Sequence, residues 1–154
     1  MAGVFGLISA KDLLGKFGRD LDALRRSPND VDSAFNFFVT AEHMLDWLYP
    51  GSMNREVRED ARKGDVLLQL VSHIANGAKH FDHLGAHHRS IRAYVLRSWR
   101  LGTWRLGAWG SGVWNDGLTI VLDGDAANAF GERVRALELA ERTYAYWSEP
   151  GRVK

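Results

Sequence analysis

The chain's three prolines all sit in breaking sequences, Ser27-Pro28-Asn29, Pro50-Gly51 and Pro150-Gly151, and divide it into lengths that suit helices. A proline inside a helix removes a backbone donor and clashes with the preceding turn, so long helices end at these points. Ahead of the first break, Ser9 and Asp12 form an S-x-x-D start, and Leu13, Leu14, Phe17, Leu21 and Leu24 follow at helical spacing. This predicts a helix to about Arg26. Asn29 or Asp30 then caps a second helix, in which Ala34, Phe35, Phe38, Ala41, Leu45 and Leu48 hold the 3.6-residue period as far as Pro50-Gly51. Phe37 and Trp47 carry its apolar surface most of the way round, as expected of a central, buried helix.

Residues 52–64 are charged and mixed in sign, and their pattern predicts a solvated short helix or loop that stops at Gly64. Asp65 caps a third helix through Val66, Leu67, Leu70, Val71, Ile74 and Ala78 to Phe81. After His88 the period changes. Residues 90–99, with Ile91, Tyr94, Val95 and Leu96, read as a strand, and 118–122 as a second strand ended by Asp123-Gly124-Asp125. Between them Trp recurs at 99, 104, 109 and 114, a five-residue step that suits neither a strand nor a helix. Together with Gly102, Gly107, Gly110 and Gly112, it predicts a glycine-broken β-hairpin. Asp125 caps a short turn ending at Gly131, and a last helix runs through Val134, Leu137, Leu139, Ala140, Tyr144 and Trp147. The expected fold is mainly α. It is a single domain over 1–154, a four-helix bundle (about 9–83 and 125–148) with a β-hairpin (about 89–123) inserted before the C-terminal helix.

With 45% hydrophobic and 25% charged residues in 154, the chain has the composition of a globular domain able to bury a core. It has no cysteine, which excludes disulfides and thiolate metal sites. The first residues, MAGVFGLISAK, lack the basic leader and long apolar run of a signal peptide, and no stretch approaches the roughly 18 apolar residues of a membrane span. A cytoplasmic protein without membrane contact is expected. The net charge of +1 hides a local bias, because no acid occurs between Asp82 and Asp116 while Arg89, Arg92, Arg97, Arg100 and Arg105 all do. A polyanion is expected to bind there: Arg92, Arg97, Arg100 and Arg105 would contact phosphates, and Trp99 and Trp104 would stack on bases. The plainer alternative packs alternate Trp side chains on the bundle and leaves the arginines solvated.

Polar groups also interrupt two apolar helix faces. On the second helix Thr40, His43 and Trp47 share a stripe with Asp46 beside it; on the third, His73, Asn76 and His80 share another, with Lys79 adjacent. If the two helices pack antiparallel, these stripes face one another. Asp46 or Asn76 could then orient His80, and Lys79 would supply positive charge. The same groups would serve equally as a hydrogen-bonded network that fixes helix packing. A third possibility takes His73, His80, His83 and His87, which fall on one arc of a continued helix, as metal ligands completed by Asp46 or His43. Gly85 interrupts that arc and no E-x-x-H occurs, so no metal or other cofactor is expected.

The pattern F-x-x-T-A-x-H-x-x-D-W (Phe37, Thr40, Ala41, His43, Asp46, Trp47), with N-G-x-K-H-F (Asn76, Gly77, Lys79, His80, Phe81) and the late Tyr146-Trp147, resembles a group of small bacterial helical proteins of uncharacterised function. More remotely the chain resembles the HEPN superfamily, helical bundles that include metal-independent RNases and tRNA-targeting toxins and are often dimeric. That family's motif is an Arg, commonly followed by Asn, Asp or His, then a His four to six residues after the Arg. Asn76 and His80 match its polar residue and its terminal His, whereas Ile74 and Ala75 stand in the window for the Arg. The resemblance implies an RNA- or nucleotide-directed protein of toxin or defence type. In it His80 would be the general base on a 2′-hydroxyl, Asn76 and Asp46 its orienting partners, and Lys79 the charge stabiliser, with His43 beside them. It also implies a homodimer and a protein partner such as an antitoxin. The alternative is a non-catalytic binding module in which the Asn76, Lys79 and His80 face is structural or docks a partner.

Overall fold

The computed structural model describes residues 4–79, 91–96 and 118–153. Within them the protein is mainly helical with a small antiparallel sheet. Helix α1 spans Ala10–Arg26, α2 Val31–Leu48, α3 Arg55–Gly64, α4 Val66–Lys79, α5 Gly124–Phe130 and α6 Ala136–Ser148. Strands β1 (Ile91–Leu96), β2 (Leu118–Leu122) and β3 (Arg133–Arg135) form one sheet in the order β1-β2-β3. No helix among the described residues is long and apolar enough to cross a membrane.

The caps explain where the helices begin. Ser9 accepts from the Asp12 amide while the Asp12 carboxylate reaches back to the Ser9 hydroxyl and the Ile8 amide, so two otherwise unpaired donors are satisfied. Asp30 caps α2 by accepting from the Ser33 amide, and Asp65 caps α4 through the Leu67 and Leu68 amides. Each carboxylate also sits at the positive end of its helix dipole.

One hydrophobic cluster joins α1, α2, α4, β2, α5, β3 and α6. Phe17 of α1 stacks on Phe37 of α2 with ring centroids 4.4 Å apart, and Tyr144 of α6 tilts onto Phe17 at 5.4 Å. Burying each such ring stabilises the fold by about 1.5–3 kcal/mol. Helix α2 packs against α1, α4 and α6, as its broad apolar surface predicts. Its buried set is turned from the expected one. Phe37, Phe38 and Met44 are sealed, while Phe35 is 40% exposed.

The hairpin's two strands are where the sequence placed them. Leu96 pairs with Leu118 and Tyr94 with Ile120, and the register slips by one residue at Arg92. The Trp-bearing connection at 97–117 lies outside the described residues. Two expectations for the C-terminal part are corrected. Asp123, not Asp125, caps α5. Val134 belongs to β3 rather than to the last helix, and pairs with Ile120 of β2. Its neighbours Arg133 and Arg135 are exposed while Val134 is buried, a two-residue alternation that suits a strand, so α6 begins only at Ala136.

Candidate functional site

The outer side of α2 carries Glu42, His43 and Asp46 within little more than one turn. The His43 ring donates from Nδ1 to Asp46 Oδ2 at 3.1 Å, and its Nε2 lies 3.3 Å from the Lys79 ammonium at the end of α4. His43 and Asp46 keep nearly half their side-chain surface in solvent, and Lys79 is exposed. His43 of the α2 stripe thus meets Lys79, the residue beside the α4 stripe.

The second half of the site comes from α3, the segment expected to be solvated. No residue of α3 is fully buried, yet two of its arginines are largely covered because they reach across to α2. Arg58 Nε lies 2.9 Å from Asp46 Oδ1, and Arg62 Nη2 lies 2.9 Å from Glu42 Oε1. The pairs 58–46 and 62–42 run in opposite chain order, so α3 passes antiparallel to this part of α2. Helix α3 itself rests on α4, and the long arginine side chains span the gap to α2. Arg58 also donates to the carbonyls of Tyr49 and Gly51 at 2.6 and 2.8 Å, just past the end of α2. Arg62 Nε is buried without a hydrogen-bond partner among the described residues.

Burial sets the electrostatics below this surface. The Glu42 side chain is only 11% exposed, and desolvation lifts its pKa above the usual glutamate value, against the opposing pull of Arg62 and a hydrogen bond to Ser72. Ser72 in turn accepts from Asn76 Nδ2 at 3.3 Å. The layering is clear: a covered Glu42–Arg62 pair lies beneath, and a half-exposed Asp46–His43–Lys79 chain lies above.

Set against the sequence reading, the site gains some residues and loses others. His43, Asp46 and Lys79 are brought together. Asn76 is engaged by Ser72 on its own helix, and Asp46 by His43 and Arg58, partners the sequence did not assign to them. Thr40 is turned toward α1. There its buried hydroxyl accepts from Lys16 of α1 at 2.7 Å and sits 2.7 Å from Asp20 and 2.8 Å from the Asn36 carbonyl. His73 is buried on α4. His80, His83 and His87 lie outside the described residues, as do Arg97, Arg100, Arg105, Trp99 and Trp104; Arg92 is described only as a backbone position of β1. Among the described residues no group of three His, Cys, Asp or Glu is arranged to hold a metal ion. Glu42, Arg58, Arg62 and Ser72 were missed. A signal existed, since Glu42/Asp46 and Arg58/Arg62 are matched i, i+4 pairs of opposite charge on consecutive helices.

No protein-family model, curated protein or solved structure matches this chain.

Proposed function

We propose that the chain is an HEPN-like helical protein that acts on RNA or a nucleotide phosphate at the face where α2 meets α4, as an RNase of toxin or defence type. The observation that carries this reading is the half-exposed His43, oriented by Asp46 on one nitrogen and facing the Lys79 ammonium with the other. An imidazole held by a carboxylate is the usual form of a general base, and an ammonium beside it suits a phosphate oxygen. In the reaction the base takes the proton of a ribose 2′-hydroxyl and the freed oxygen attacks the adjacent phosphorus. The bond to the 5′-oxygen breaks, that oxygen leaves as a hydroxyl on taking a proton from the imidazolium or from water, and a 2′,3′-cyclic phosphate remains, while Lys79 balances charge on the phosphate. Sequence assigns the base to His80, next to Lys79; among the described residues, His43 with its Asp46 and Lys79 contacts supports the same role. Homodimer formation and a protein partner such as an antitoxin belong to this proposal, as do the basic hairpin arginines for holding the RNA strand.

The second reading is a binding module without catalysis. The cross-links made by Arg58 and Arg62 favour it, because they tie α3 to α2 as a packing network does. Incubation of total tRNA in EDTA with wild type, His43→Ala and His80→Ala separates the two readings. Cleavage by wild type that falls by about 10²–10⁴-fold in one histidine variant supports the enzyme and identifies its base. Intact tRNA in every case removes the enzyme and leaves the binding module.

A further inference from the structure

We infer that Arg58 is a positioning residue that sets the tautomer of His43, so that Nδ1 carries the proton and Nε2 is the nitrogen offered to a ligand. Arg58 is 15% exposed and held at three points: Nε on Asp46 Oδ1, and Nη1 on the carbonyls of Tyr49 and Gly51. Both acceptors are backbone carbonyls just past the end of α2, so the guanidinium is anchored to backbone as well as to Asp46. Its grip on Oδ1 fixes the Asp46 carboxylate while Oδ2 lies 3.1 Å from His43 Nδ1. Arg62 is 3.8 Å from the same Oδ1, beyond hydrogen-bond range, and is occupied by Glu42, so it does not replace Arg58.

Both neighbours of the ring select one tautomer. A carboxylate only accepts, so the nitrogen 3.1 Å from Asp46 must bear hydrogen. An ammonium only donates, so the nitrogen 3.3 Å from Lys79 must present its lone pair. When an anionic ligand draws the Lys79 ammonium to itself, the Nε2 lone pair becomes available to a hydroxyl on that ligand. A molecule bearing a hydroxyl next to a phosphate fits both groups, as a ribonucleotide does and a 2′-deoxynucleotide does not at that position. The ligand class rests on the functional reading above, whereas the tautomer does not and can be measured on the resting protein.

The test is imidazole nitrogen NMR on uniformly labelled protein at a pH where the rings are neutral, with His43 assigned by its loss in His43→Gln. The expected wild-type signal is that of the Nδ1–H tautomer. Arg58→Ala should shift the tautomer ratio toward Nε2–H by about tenfold, the scale of a lost charge-assisted contact. Arg55→Ala, which removes an exposed arginine of the same helix, should leave it unchanged. Should Arg58→Ala disturb the amide spectrum, Arg58→Gln, which keeps bulk but loses the charge held on Asp46, carries the same expectation. A wild-type ring in the Nε2–H form overturns the inference, and so does an unchanged ratio in a folded Arg58→Ala. Addition of a ribodinucleotide should then move the His43 Nε2 resonance more than its 2′-deoxy counterpart does. Equal responses would overturn the ligand class while leaving the tautomer assignment standing.

Discussion

The two sides of α2 solve the same packing problem with different chemistry. Toward α1 the helix presents Phe37, stacked on Phe17, and the polar group buried there, Thr40, is surrounded by partners. Toward α3 and α4 it presents Glu42, His43 and Asp46, which meet arginines and a lysine on long, partly solvated side chains. Apolar contact on the first side stabilises through area removed from water and tolerates little change. Charged contact on the second recovers desolvation cost more than it adds stability, and it keeps an imidazole, a carboxylate and an ammonium within solvent's reach. The first side thus reads as structure and the second as a surface kept chemically available.

The largest expected effect breaks the apolar side. Phe37→Ala should cost about 3–5 kcal/mol by urea unfolding, because the ring is fully buried against Phe17. His43→Ala on the other side should cost less than about 1 kcal/mol, since its exposed pairs are screened. Equal losses would erase the contrast.

An intermediate loss is expected where charge is most covered. Arg62→Ala leaves Glu42 without its cation and should cost about 1–3 kcal/mol, below the range for a fully buried pair because both side chains retain some exposure. The double replacement Glu42→Leu/Arg62→Met should recover most of that loss.

The pH dependence sharpens the same point. Burial raises the folded-state pKa of Glu42, so between the ordinary glutamate value and the raised one the folded protein holds more protons than the unfolded chain. Stability contributed by this group therefore falls as pH rises through that window, and Glu42→Gln should flatten the slope there. A steeper slope in the variant would contradict the assignment.

The smallest effect lies away from both sides. The pKa of Asp12 is lowered by its bond from Ser9 and by the Ile8 amide, so its capping contribution is present above the usual carboxylate range and lost as pH falls through the folded value. Fraying of the first turn of α1 on acidification, absent in Asp12→Asn, would be seen in amide exchange.

Much of the backbone was legible because its signals are local. Ser9, Asp30 and Asp65 cap the helices they were expected to cap, and the prolines mark the breaks. Val134 was not legible, since a three-residue strand just before a helix carries too little pattern, and only pairing with Ile120 makes it a strand. The rotation of α2 was ambiguous for another reason. With Phe35, Phe37, Phe38 and Trp47 spread round the helix, the burial of Met44 over Phe35 depends on which neighbours pack there. For the site, His43, Asp46 and Lys79 were visible as groups on facing helices. Arg58 and Arg62 were hidden in a charged run, where reach across to α2 distinguishes them from solvated arginines such as Arg55.

The most direct test of the claim that the charged side is a working surface is one paired measurement on Lys79→Ala: thermal unfolding, and affinity for single-stranded RNA at low and moderate salt. An unchanged unfolding temperature with weaker binding and a shallower salt dependence is the predicted result. A lowered unfolding temperature with RNA affinity equal to wild type would contradict it, and would make Lys79 and His43 a brace between helices.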